Sequence, residues 1–105
     1  MKFMRLIVMF DLPVKTRKQA KEATAFRNFL IKDGYYMMQY SVYVRICNGQ
    51  DSVEIHRNRL KYAVPHNGSI RVLTVTEKQY QNIDIFLGKR DKKDRNANYE
   101  LISFF

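Results

Sequence analysis

The chain of 105 residues has one cysteine, two prolines, four glycines and no tryptophan. A lone Cys47 excludes an intramolecular disulfide framework and an iron–sulfur cluster built from this chain alone, and it fits a reducing cytoplasm. With no CxxC partner it is a poor candidate for thiol catalysis. No glycine-rich phosphate loop, GxSxG elbow or HExxH pair is present, which removes the commonest nucleotide, serine-hydrolase and zinc-protease signatures. Apolar runs are short. "MKFMRLIVMFD" reads as neither signal peptide nor membrane span, because its apolar stretch is too brief and lacks a small-residue cleavage pattern. There is no internal repeat and no low-complexity tract.

Acidic residues are also scarce: ten Asp and Glu stand against nineteen Lys and Arg, a formal net charge of +9. That balance favours a polyanionic partner, nucleic acid first, over an acidic small molecule, the alternative being a basic surface kept for solubility. What the chain does have is aromatic residues, seven Tyr and seven Phe, so it folds rather than forming a disordered basic tail. Its length predicts a single domain over 1–105. An active site needing more surface would borrow it from a second copy.

The run Phe3 to Phe10 is rich in β-branched and aromatic residues and too short for a buried helix, so it predicts a strand, ended by Pro13. In "TRKQAKEATAFRNFLIKDGYY", Thr16 and Gln19 have capping-box spacing, Ala20, Ala23, Phe26, Phe29 and Leu30 recur at helical spacing, and Gly34 stands where a left-handed C-terminal cap belongs. Two short strands or one long bent one follow, Tyr35 to Gln39 and Val42 to Cys47, with Tyr40 and Ser41 at the bend and no tight-turn sequence between them. Asp51 and Glu54 open a second helix with Val53, His56, Leu60 and Ala63 on one face, ending before Pro65. "SIRVLTVT" is a further strand, "TEKQY" a short helical turn and "IDIFLG" a possible strand. The order is that of an α+β, ferredoxin-like βαββαβ domain, with residues 77–105 as a C-terminal extension for dimer or partner contacts and "LISFF" as an additional strand.

Side chains alternate along a strand, so Met4, Leu6, Val8 and Phe10 point one way while Arg5, Ile7, Met9 and Asp11 point the other. Both helices of this topology pack on one face, which leaves Ile7 and Met9, with part of Leu73 and Val75, facing nothing within one chain. A sheet-on-sheet homodimer is the expected cover. Asp11 lies on that side, at the strand's end, where two copies could meet across a two-fold axis.

One carboxylate cannot hold Mg2+ securely, but two symmetry-related aspartates with waters and phosphate oxygens can, and such an ion activates water against a phosphodiester. Residue chemistry alone favours a plainer role, in which Asp11 accepts hydrogen bonds from the turn around Val14 to Thr16. Lys15, Arg17, Lys18 and Lys21 crowd the start of the first helix, where cations oppose the helix dipole, and this hints at a bound anion. Lys89, Arg90, Lys92, Lys93 and Arg95 form a basic loop. Arg57, Arg59 and Lys61 read as a solvated face, and His56 as a satisfied core residue rather than a ligand. The tyrosines 35, 36, 40 and 43 invite comparison with sheet-stacking RNA binders, but the glycine-and-aromatic pattern of those proteins is absent.

A first strand ending in Asp11, an early helix carrying Arg17, the central "QYSVYV" around Ser41 and Tyr43, and a basic tail ending in "ISFF" together resemble the smaller of the two core CRISPR-associated spacer-acquisition proteins, an endoribonuclease family. The ending is similar to members accompanying a single-protein, RNA-guided DNA-cutting effector. The resemblance implies a ferredoxin-like homodimer with Asp11 as catalytic residue and Mg2+ ligand near the two-fold axis, and Ser41 and Tyr43 in support. It implies metal-dependent nuclease activity on RNA or double-stranded DNA, and assembly with the larger integrase subunit in the cytoplasm, away from membranes, to insert short duplexes into a repeat array. A stand-alone, toxin-type endoribonuclease of related fold is the alternative.

Overall fold

A computed structural model describes residues 2–88. The basic loop with Lys89, Arg90, Lys92, Lys93 and Arg95, and the strand expected in "LISFF", lie outside the described residues. The elements are β1 (Met4–Asp11), α1 (Arg17–Lys32), β2 (Tyr36–Gln39), β3 (Val42–Cys47), α2 (Gln50–Ala63), β4 (Ser69–Thr76) and α3 (Glu77–Gln81). The strands form one antiparallel sheet in the order β2-β3-β1-β4. This is the expected ferredoxin-like α+β arrangement, with β1 central, as its all-apolar middle requires.

Helix α1 begins with the predicted capping box: Thr16 Oγ1 accepts from the Gln19 N–H at 3.0 Å, and Gln19 Oε1 accepts from the N–H groups of Thr16 and Lys15. It ends in a Schellman pattern, in which Tyr35 N–H donates to Leu30 O at 2.9 Å and Gly34 N–H to Ile31 O at 3.1 Å. Gly34 has φ +95°, and a Cβ there would meet the Arg45 guanidinium at 3.1 Å. The positive φ calls for glycine, and a side chain there would also crowd the Arg45 guanidinium by a few tenths of an ångström.

Helix α2 starts differently from expectation. Gly49 is its N-cap and no side chain caps it. Asp51 lies inside the first turn, where its charge still suits the helix dipole, and Glu54 bonds Gln50 and Arg57 instead of reaching back. The Tyr40–Ser41 bend is a tight two-residue hairpin loop, since Gln39 pairs with Val42 and Ser41 takes φ +65°. Neither residue type advertises that turn, so the sequence hid it. Residues 83–88 form no strand: "IDIFLG" lies against neither edge of the sheet, and a strand needs a neighbour to bond.

Leu6, Val8 and Phe10 of β1 pack against Phe26 and Leu30 of α1 and Val53 and Leu60 of α2, with Tyr43 and Cys47 of β3. Phe10 meets Phe26 edge-on at 5.2 Å and stacks on Tyr43 at 5.7 Å. The predicted alternation along β1 is borne out, but the other face is less bare than expected. Ile7 is only 7% exposed, because Tyr80 of α3 folds across it beside Val44. The expected apolar surplus survives further out, at Ile46 and at Leu73, which is 49% exposed. Among the described residues no helix is long and apolar enough to cross a membrane.

Candidate functional site

Asp11 is the last residue of β1, paired with Ser69 of β4 and exposed. Three local features fix it. Phe10 N–H donates to Ser41 O at 3.1 Å, tying the strand's end to the β2–β3 hairpin tip. Gly68, at φ +124°, lets the turn before β4 lie so close that a Cβ would come within 2.5 Å of the Leu12 side chain and 3.3 Å of Asp11 O. Pro13 then ends the ladder, since it has no N–H to donate.

The plainer role weighed for Asp11 is not the one it plays. The N–H groups of Lys15 and Thr16 go to Gln19, Thr16 is the cap, and the Asp11 carboxylate has no hydrogen bond or ion pair among the described residues. An exposed, uncommitted carboxylate on a rigid strand end is a hard oxygen donor suited to Mg2+. Among the described residues no three His, Cys, Asp or Glu side chains stand close enough to hold an ion. Among those residues Asp11 therefore stands as a single hard oxygen donor outside any ligand cluster.

Lys15, Arg17, Lys18 and Lys21 are all exposed around the start of α1, whose first turn carries no acidic residue. Lys15 stands on the turn that follows β1, and Arg17, Lys18 and Lys21 lie in the first turns of α1. Ser41 reaches the end of β1 only through its backbone carbonyl, which accepts from Phe10 N–H. Tyr43 does not: it pairs with Val8, on the helix-covered face, and is buried there under Phe10.

Two polar clusters went unnoticed in the sequence. On the open face, Arg5 is 9% exposed and grips Glu77 of α3 with two bonds, Nε to Oε1 at 2.6 Å and Nη2 to Oε2 at 2.9 Å. Its Nη1 donates to the Tyr36 hydroxyl at 2.6 Å, that hydroxyl bonds Tyr80 Oη at 2.7 Å, and the guanidinium lies 4.1 Å from the Tyr80 ring centroid. The hydrogen bond from Arg5 holds the Glu77 carboxyl below its usual range, while burial and the bond to Tyr36 push the Tyr80 phenol up. At the far end of α1, Asp33 accepts from His56 Nδ1 at 2.7 Å and Arg59 Nη1 at 2.6 Å, and its carbonyl accepts from Arg45 Nε at 2.6 Å. Burial pushes the Asp33 carboxyl up, but the bonds from His56 and Arg59 outweigh it and leave it lowered. His56 is accordingly a satisfied core residue, as expected. Long sequence separations conceal such partners, and only the alternation that turns Arg5 toward the open face hinted at the first.

The sequence profile of the family "CRISPR associated protein Cas2" matches residues 4–83. The CRISPR-associated endoribonuclease Cas2 of Acidovorax ebreus (strain TPSY) is 44% identical over 102 residues, covering 97% of this chain and all of its own length. The protein of the same name from Ligilactobacillus salivarius (strain UCC118) is 45% identical over 94 residues, covering 90% of this chain and 93% of its own. A solved structure described as "Crystal structure of cas2" superposes with a TM-score of 0.52 at 21% identity, covering 86% of this chain and 91% of that one, a likeness of fold. By the family match and these full-length relatives, the chain belongs to the CRISPR-associated Cas2 family.

Proposed function

We propose that the chain is a magnesium-dependent endonuclease that hydrolyses phosphodiester bonds of RNA or duplex DNA as a homodimer, with Asp11 of each copy holding the ion. The observation that carries this reading is the exposed Asp11 carboxylate, fixed on a strand end and free of any partner among the described residues. The relatives, named as endoribonucleases, support the reaction class. Bound at such a pair, magnesium supplies a polarised phosphodiester and a water of lowered pKa. The chain's own residues do the rest. Lys15, Arg17, Lys18 and Lys21 draw in and orient the phosphate backbone, aided by the positive end of the α1 dipole. The partly open sheet face, with Leu73 and Ile46, brings the second copy to the first.

In the cell the same dimer bridges copies of the larger CRISPR-associated integrase in the cytoplasm and holds duplex DNA for spacer acquisition. The strong positive charge favours this second role, and family membership favours both over a stand-alone toxin. Asp11→Asn tests the metal site. Magnesium-dependent cleavage should fall at least about a hundredfold, the equivalent of a few kcal/mol of charge stabilisation, with the fold and dimer unchanged. Undiminished cleavage by that variant would sink the assignment. Lost cleavage with spacer acquisition intact would make bridging the physiological role.

A further inference from the structure

We propose that Tyr40 is a stacking platform for an unpaired nucleobase, so that the chain grips single-stranded nucleic acid at the β2–β3 hairpin tip. It rests on the nucleic-acid binding of the nuclease reading and adds a base contact on the helix-covered side of the sheet, where Arg27 and Phe10 lie. Tyr40 is the first residue of the β2–β3 hairpin loop and is 81% exposed. Loops of this length favour Asn, Asp or Gly, yet here a tyrosine and a serine with φ +65° occupy it. The tip is not composed for turning. It is nonetheless held firmly, because Ser41 O accepts from Phe10 N–H at 3.1 Å, one residue before Asp11.

Arg27 completes the arrangement. Its guanidinium carbon lies 5.7 Å from the centroid of the buried Phe10 ring and 5.7 Å from that of Tyr40, spanning from the core to the exposed ring. No carboxylate pairs with Arg27 among the described residues, so its hydrogen-bond donors stay available. A ring steadied by a cation, exposed to solvent and flanked by free donors suits a ligand that is flat, aromatic and anionic. A nucleotide has all three properties, its base for Tyr40 and its phosphate for Arg27 or the lysines of the α1 start. Bases within a duplex are already stacked on one another, so the platform selects single strands.

The test uses the whole chain in EDTA, so that binding is read without cleavage. The probes are single strands of about eight nucleotides, as RNA and as DNA, a blunt duplex of the same length, and an abasic sugar–phosphate strand. Tyr40→Ala should weaken binding of both base-bearing single strands by about fivefold or more, leaving the duplex and the abasic strand unaffected. Tyr40→Phe should bind like the wild type, since stacking needs the ring and not the hydroxyl. Unchanged single-strand affinity of Tyr40→Ala overturns the proposal, as does an equal loss on the duplex or the abasic strand, which would mean a general electrostatic or structural effect. Asp11→Asn should bind the single strands normally in EDTA. Failure of the metal-site assignment, read only as cleavage, is therefore distinguishable from failure of the platform.

Discussion

One face of the sheet is closed by hydrocarbon from two long helices; the other is closed in part, by five residues of α3 and a polar network around Arg5. On the first face Leu6, Val8 and Phe10 meet Phe26 and Leu30 with nothing left for water to do. On the second, Ile7 is buried under Tyr80 while Leu73 stays half exposed. Burial of large side chains makes a closure that depends little on pH or salt. A closure made by one ion pair and two hydroxyls holds α3 in place and leaves adjacent apolar surface exposed at Leu73 and Ile46.

The sharpest way to break the contrast is Phe26→Ala, which removes a fully buried ring and should cost about 3–5 kcal/mol in urea denaturation. A loss well under 1 kcal/mol would mean that the helix-covered face is no better packed than the other. Next is Glu77→Ala, which leaves the buried Arg5 guanidinium without its carboxylate. The pair's Glu77 end is about one-third exposed, so water screens part of it, and about 1–3 kcal/mol is expected. Hydrogen exchange should show α3 opening while the helix-face amides of β1 stay protected. Uniform loss of protection would make the two faces one cooperative unit.

The smallest effect is in acid. Asp33 has a lower pKa folded than unfolded, so its contribution is complete above the ordinary carboxylate range and is lost as pH falls through the folded value. Asp33→Asn should remove that share of the acid loss, on the order of 1 kcal/mol, measured as stability from neutral pH down to about pH 2. An identical acid profile in the variant would place the titrating group elsewhere.

Much of the fold was legible because its signals are local. Helix α1 announces itself through Thr16, Gln19 and Gly34, and the parity of β1 correctly separated Leu6, Val8 and Phe10 from Ile7 and Asp11. The start of α2 was misread because Asp51 and Glu54 imitate a capping box that the backbone begins two residues too early to use. The bend at Tyr40 and Ser41 was placed correctly, but its tight hairpin geometry was not legible because its residues contradict it. Asp11 could be named as a candidate from sequence, yet its freedom from the α1 cap could not.

Alternation, helical spacing and charge by themselves determined the element order, the two sheet faces and a preference for polyanions, because each depends on neighbours a few residues apart. Whether Asp11 is bonded, where Tyr43 points and how α3 covers Ile7 were decided only by the tertiary structure. Those outcomes depend on pairs such as Arg5 with Glu77 and Arg27 with Tyr40, which chain folding brings together and which no local pattern in the sequence encodes.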